Sequence, residues 1–278
     1  MRLITAIYNA VIRCIDKMEE MKMSVNTYLQ SLASSLVLST SEKDSITTSV
    51  NTIKSRLDGY FSDVVEKKVF GSYLRETILP RKVDEKSDVD IMVVFNNPYG
   101  YKPQSFLERL KEFAEYYYSS SEIHQSSPSL VLELNHIKFE LTPAYKIYGI
   151  YYIPDGPSNW RITDPDGFSD ALIECNKNNG YKIKPVVRLL KHWNIQKNER
   201  DLPSFLLEKT IAEELKYSYF SCSSYTDYLK DGLEKIKYKT DYNKVNNALE
   251  HITQALSYEQ QNMLCSAEVE IKKVFPEI

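Results

Sequence analysis

Phe70-Gly71-Ser72-Tyr73, followed after a polar loop by Ser87-Asp88-Val89-Asp90-Ile91-Met92-Val93-Val94-Phe95, is the stretch whose reading decides the fold. Val64–Gly71 and Asp88–Phe95 read as strands. Alternate side chains of a strand share a face, so Asp88 and Asp90 project to the same side. Two carboxylates so placed repel each other, and a hard divalent ion between them relieves the repulsion. Mg²⁺ suits one or two carboxylates completed by water and phosphate oxygens. Gly71 lets backbone approach a ligand closely, and Ser72 offers a hydroxyl beside backbone N–H groups, a grip for phosphate.

Farther along, His136-Ile137-Lys138-Phe139-Glu140-Leu141-Thr142-Pro143 places a third acid, Glu140, amid apolar neighbours on a candidate adjacent strand. Three acids are enough to hold two ions roughly 3.5–4 Å apart, one activating an attacking hydroxyl and the other neutralising the leaving oxygen of an in-line displacement. Taken singly, a Gly-Ser pair is a turn, an Asp-x-Asp a solvated strand end and a lone Glu an exposed strand position. Their order along the chain favours the metal reading.

Around this centre the periodicity changes twice. Leu3–Lys22, Val25–Leu36 and a segment carrying Ile46, Val50, Ile53, Leu57 and Phe61 have helical spacing, with Ser39 and Glu42 as a capping box for the third. Pro103–Tyr118 carries the helical stripe Phe106, Leu110, Phe113 and Tyr117. Ser129–Asn135, Ile137–Pro143 and the tyrosine-rich Tyr145–Ile153 suggest a small mixed sheet. Beyond the connection Pro154–Gly167 the pattern is almost wholly helical, notably in Ile183–Asn194, Ser204–Lys216 and Tyr225–Lys237.

Composition narrows the function. The 278 residues are 42% hydrophobic and 26% charged, which excludes disorder and leaves room for one large domain or two lobes. Thirty-eight acidic against 35 basic side chains give a net charge of −3, unlike a dedicated binder of long nucleic acid. Cys14, Cys175, Cys222 and Cys265 lie far apart with no Cys-x-x-Cys pair, so they read as thiols in a reducing, cytoplasmic setting rather than disulfide or zinc ligands. His124, His136, His192 and His251 form no ligand set. The apolar run Leu3–Ile12 is about half the ~20 residues a membrane span needs and carries no cleavage signal, so no membrane association is expected. Met21 and Met23 offer alternative starts.

The order Gly-Ser, Asp-x-Asp, then an acid on a later strand resembles the DNA polymerase beta-like nucleotidyltransferase superfamily. More narrowly, Phe70-Gly71-Ser72-Tyr73-Leu74-Arg75-Glu76-Thr77 through Asp88-Val89-Asp90 resembles the bacterial CD-NTases, relatives of cyclic GMP-AMP synthase and oligoadenylate synthase. The likeness continues through Tyr152-Ile153-Pro154-Asp155, Trp160-Arg161-Ile162-Thr163-Asp164-Pro165, Lys184–Asn194 and Leu202–Glu208, covering about residues 25–215. Two positions depart from the family pattern: Glu140 stands where Asp is common, and Glu76 where Gly is common.

The resemblance implies an α+β fold. Residues 1–62 are expected as helices forming the spine of a catalytic lobe, 63–167 as the nucleotidyltransferase core with a small mixed sheet, and 168–278 as a helical lobe, with the active site in the cleft between lobes. It further implies that Asp88, Asp90 and Glu140 bind two Mg²⁺ ions, with Mn²⁺ as a substitute. Lys191 is then the lysine that reaches the donor triphosphate; taken alone it is a solvated helix lysine. Ser204, at a helix start where free N–H groups favour anions, reads as a phosphate contact or a helix cap. Phe205 reads as the ring that stacks on the base or as core packing. Arg75 touches phosphate or braces the Gly-Ser loop, and Tyr152 and Trp160 shape an acceptor pocket or are buried aromatics.

The implied activity is a nucleotidyltransferase that joins ATP, GTP or other nucleoside triphosphates into a cyclic di- or trinucleotide, or a short oligonucleotide, and releases pyrophosphate. The implied setting is bacterial antiphage (CBASS) signalling, in which the product activates a separate effector. Double-stranded DNA activation is not expected, because the sequence has neither a zinc-type Cys/His cluster nor a basic tract. Competing readings are a transferase acting on an RNA end or a protein hydroxyl, and a catalytically silent nucleotide sensor.

Overall fold

A computed structural model of the chain describes residues 23–97 and 99–278; the helix expected at Leu3–Lys22 lies outside the described residues. Leu36–Lys177 form one compact unit, and the described residues before Leu36 join Asn178–Ile278 in a second.

The first unit is built on two periodicities that meet. The helix Thr40–Tyr60 opens on the capping box expected at Ser39 and Glu42 and buries Ile46, Val50, Ile53 and Leu57 along one stripe. The helix Pro103–Tyr117 begins on proline, which lacks the N–H a first turn would leave unused, and buries Phe106, Leu110, Phe113 and Ala114. Both stripes close over one face of a sheet whose strands are β1 (Val64–Phe70), β2 (Asp88–Phe95), β3 (Glu122–Ser126), β4 (Ser129–Glu133), β5 (Lys138–Ile147), β6 (Ile150–Asp155) and β7 (Asn159–Thr163). Strand order is β1-β2-β5-β4-β3, with β6 paired to the distal part of β5 and β7 to β6. The β2–β5 pair is parallel and the others are antiparallel.

Along β2 the alternation is strict. Val89, Ile91, Val93 and Phe95 face the helices, while Met92 and Val94 join a smaller cluster with Ala144, Tyr151 and Ile153 on the opposite face. Asp88 and Asp90 share that opposite face, so the burial of one set of side chains fixes the direction of the other. The tyrosine-rich stretch is a hairpin that turns at Tyr148-Gly149, and β7 lies inside the segment expected to be a plain connection.

The second unit is helical: Val25–Ser35, Ile183–Gln196, Ser204–Glu214, Tyr225–Ile236, Tyr242–Gln260 and Leu264–Val274. The two compact units divide the chain at Ser35 and Lys177, whereas the sequence reading divides it at 62 and 168. Val25–Ser35 belongs with the carboxy-terminal helices, because Tyr28 Oη donates to the Phe275 carbonyl at 2.6 Å, Val25 N–H to Glu259 at 3.0 Å, and Asn26 accepts from the Tyr225 N–H at 2.7 Å. The helix Pro165–Asn178 stays with the sheet unit through Lys177, tied by a Lys68–Asp166 ion pair at 2.8 Å and by the Arg75 guanidinium 4.7 Å from the Phe168 ring centre. Among the described residues, Cys175, Cys222 and Cys265 form no disulfide, and no helix is long and apolar enough to cross a membrane.

One polar contact clamps the sheet unit. Arg109 donates to both Asp63 oxygens at 2.8 and 2.6 Å and lies over the rings of Phe61, Phe95 and Phe106. The hydrogen bonds from Arg109 hold the Asp63 carboxyl below its ordinary range. A carboxyl lowered in this way adds stability above its unfolded value of 3.8 and loses it as pH falls through the folded pKa. Both side chains are about a third exposed (34% and 35%), so solvent screening limits the effect. Asp63→Asn is expected to cost about 1 kcal/mol at neutral pH. Thermal melts across pH should show that cost shrinking below pH ~4.

Candidate active site

The parallel pairing of β2 with β5 brings the acids together. In register, Asp90 lies opposite Glu140 and Asp88 opposite Lys138, while on the other side of β2 Phe70 lies opposite Asp90. Gly71 follows immediately, with φ of +74°, in the left-handed region that favours glycine. A Cβ added there would overlap the Asp90 carboxylate. Glycine is thus required twice, by its backbone and by the acid packed on it. Ser72 continues the short helix Gly71–Leu74, and its carbonyl accepts the Thr77 and Ile78 N–H groups at 3.0 and 3.1 Å, closing the loop beneath the acids.

Glu76 has φ of +60°, the same left-handed region. A glycine at that position would carry no Cβ penalty, which gives the departure noted in the sequence its backbone meaning. Arg75, with 6% exposure, stacks on Phe168 and also acts electrostatically on Asp90.

Asp90 is the most crowded of the acids. Burial first, then the charges of Asp88 and Glu140, push its carboxyl well above the ordinary range, against the opposing charges of Arg75 and Lys138. Lys138 is a site residue that the sequence reading assigns no role. Its Nζ lies 3.2 Å from Asp88 Oδ2 and 3.2 Å from Glu140 Oε1, bridging acids on two strands. Burial works against the ammonium, but Asp88 and Glu140 together outweigh it and hold its pKa above the ordinary value. Strand alternation places 138 and 140 on one face; the parallel register that sets Lys138 beside Asp88 has no trace in local sequence.

Three carboxylates on adjacent strands, one of them held unfavourably as an anion, are a donor set that fits a hard divalent cation. Among the described residues, however, no group of three His, Cys, Asp or Glu side chains is arranged to hold a metal ion. The Lys138 ammonium bridges Asp88 and Glu140.

Lys191, Ser204 and Phe205 lie in the helical unit. Lys191 is buried and ion-paired with Glu208, also buried, so it is not the solvated helix lysine of the plain reading. Ser204 is exposed and is the first residue of its helix; the cap position is Pro203, which makes no side-chain cap bond. Phe205 is 57% exposed, which removes core packing as its role. His192 Nε2 donates to the Pro276 carbonyl at 2.8 Å, a packing contact. Tyr152 stacks on Tyr145 with ring centres 4.8 Å apart, and Trp160 meets Tyr145 edge-on, so these aromatics form a ladder across β5, β6 and β7.

With this geometry in view, comparison with known proteins is specific. Residues 23–176 match the SMODS family, the Second Messenger Oligonucleotide or Dinucleotide Synthetase domain, and the chain belongs to that family. It is 28% identical over 211 residues to a cyclic AMP-AMP-AMP synthase from Acinetobacter sp., covering 70% of this chain and 60% of that protein. It is 26% identical over 189 residues to a probable cyclic nucleotide synthase from Bacillus cereus, covering 57% of each. The match thus spans less than two thirds of either relative. The structure of Escherichia coli MS115-1 CdnC with ATP shares the fold at a TM-score of 0.70 and 12% identity, over 91% of this chain and 98% of that one. The fold is therefore that of the CD-NTases, the polymerase beta-like class the motif order implied.

Gly71→Ala should lower the thermal stability of the metal-free protein by at least about 1–2 kcal/mol, the cost of a Cβ in the left-handed region. It should cost more than an alanine at Gly100, which has φ of +67° but open space where the Cβ would go. Equal melting losses at the two positions would remove Asp90 from the explanation.

Proposed function

We propose that the chain is a divalent-metal-dependent nucleotidyltransferase that links nucleoside triphosphates into a cyclic di- or trinucleotide or a short oligonucleotide. The observation that carries this reading is the register Asp90 to Glu140, beside Asp88, in a chain of the SMODS family. Asp88, Asp90 and Glu140 would hold Mg²⁺, with Mn²⁺ as a substitute. When bound, such an ion lowers the pKa of an acceptor hydroxyl and neutralises charge on the phosphates.

The chain's own groups do the rest. Gly71 gives the triphosphate close access to backbone, Ser72 supplies a hydroxyl, and Arg75 supports the loop that carries them. An acceptor ribose hydroxyl attacks the donor α-phosphorus, the bond to the bridging oxygen breaks, and pyrophosphate leaves. A second transfer closes a dinucleotide ring, and a trinucleotide ring takes a third. Lys191 and Ser204 contact phosphates and Phe205 stacks on a base in this reading; the exposure of Ser204 and Phe205 supports it. The product would activate a separate effector in antiphage signalling, and no long nucleic acid is needed as substrate.

One observation favours a second reading, a catalytically silent nucleotide sensor: the Lys138 ammonium already pairs with Asp88 and Glu140. Incubation of the purified chain with labelled triphosphates and Mg²⁺ or Mn²⁺ separates the two. A phosphatase-resistant small product with release of pyrophosphate supports synthesis, whereas nucleotide binding without pyrophosphate supports the sensor. Extension of an added RNA would instead indicate transfer to an RNA end. Asp88→Asn and Asp90→Asn are each expected to reduce product formation on the order of a thousandfold while the circular dichroism spectrum is kept. Undiminished turnover in either variant would falsify the assignment of these acids.

A further inference from the structure

Two kinds of cation have claims on the same oxygens. A divalent ion held by Asp88, Asp90 and Glu140 would meet the Lys138 ammonium among its donors, 3.2 Å from one oxygen of Asp88 and 3.2 Å from one oxygen of Glu140. The lysine is built into this position. It lies on the same strand as Glu140, two residues earlier, and in register with Asp88 across the parallel pair, and its side chain is 19% exposed. It carries the opposite charge at direct contact distance from both Asp88 and Glu140. Its removal would leave like charges facing one another across β2 and β5.

We propose that Lys138 is an internal occupant of the cation site: its ammonium stands in for the divalent ion in the metal-free chain, and it must give up Asp88 or Glu140 for the ion to bind. The inference rests on the metal reading above and adds a residue that sets metal affinity. The lysine holds the acids at short range before the ion arrives, so the cluster keeps its shape without metal. The same contacts have to be broken when the ion enters, so affinity for metal alone is weakened. Lys138 is a positioning residue in this account, acting on the acids rather than on substrate.

The test uses the full chain and Mn²⁺ alone, with unbound Mn²⁺ followed by electron paramagnetic resonance. Lys138→Met keeps the aliphatic stem and removes the charge. It should bind Mn²⁺ on the order of tenfold more tightly than the unsubstituted chain, and Lys138→Arg should restore weak binding. Adding Asp90→Asn to Lys138→Met should abolish the gain. In chelator, Lys138→Met should melt lower than the unsubstituted chain, and excess Mn²⁺ should close the gap. A lysine that merely packs would lower melting equally with and without Mn²⁺.

A second measurement needs no substitution. Acetylation of Lys138 by a mild amine reagent, read by peptide mass spectrometry, should rise several-fold when Mn²⁺ is added to the unsubstituted chain. If Lys138→Met binds Mn²⁺ no more tightly, or if Lys138 acetylation does not respond to Mn²⁺, the inference is overturned while the metal site stands. If neither chain binds Mn²⁺ in a way that depends on Asp90, the metal reading falls and the inference with it.

Discussion

The parallel contact between β2 and β5 is the constraint on which the rest of the catalytic unit depends. A parallel pair cannot be made by a tight hairpin, so the chain must leave β2 at Phe95, cross through the helix Pro103–Tyr117 and the β3–β4 hairpin, and return at Lys138. That long excursion is stabilised by burial: Phe106, Leu110 and Phe113 of the crossing helix pack against the same face that Val89, Ile91 and Val93 present. Once this face is dry, the other face has no freedom left. Asp88 and Asp90 point away from the core, and the register delivers Lys138 and Glu140 beside them.

The apolar side of the sheet therefore offsets an electrostatic cost on the polar side. Two like charges 4–5 Å apart repel by roughly 3–4 kcal/mol at an effective dielectric constant near 20, and the cluster holds three acids. Asp90 registers this in its raised carboxyl pKa, with burial the larger cause and its two acidic neighbours next. Lys138 and Arg75 reduce the cost from inside the same unit. A fold that spends stability in this way has use for a cation at that spot, and a site of this kind is where local rules of sequence and structure are expected to conflict.

Much of this was legible in the chain because it rests on local periods. The stripe Ile46, Val50, Ile53, Leu57 defined its helix, and Ser39 with Glu42 marked its start. The alternation from Asp88 to Phe95 set the strand and the shared face of its acids. What depends on distant partners was hidden. Val25–Ser35 reads as one more amino-terminal helix, and only the bonds to Glu259, Phe275 and Tyr225 assign it to the carboxy-terminal helices. β7 was masked by Pro154, Asp155, Gly156 and Pro157, whose turn residues surround a five-residue strand. Lys191 shows the same limit: its helical position was plain, but its buried partner Glu208 comes from the next helix, outside the reach of any local pattern.

The third acid joins these threads. Along a strand, side chains two residues apart on one face stand about 6.6–6.8 Å apart at their Cα atoms, so a contact between them needs reach from both sides. Lys138 and Glu140 close that gap to 3.2 Å. Glutamate contributes a methylene that aspartate lacks, and lysine contributes its four-carbon stem. A shorter acid at 140 would leave the lysine to span the distance while also holding Asp88 across the strand pair. The glutamate that looks like a departure when the acids are considered alone is thus matched by the lysine two positions before it. The two act as one unit in the chemistry of the site: a longer acid together with the cation that the longer acid can reach.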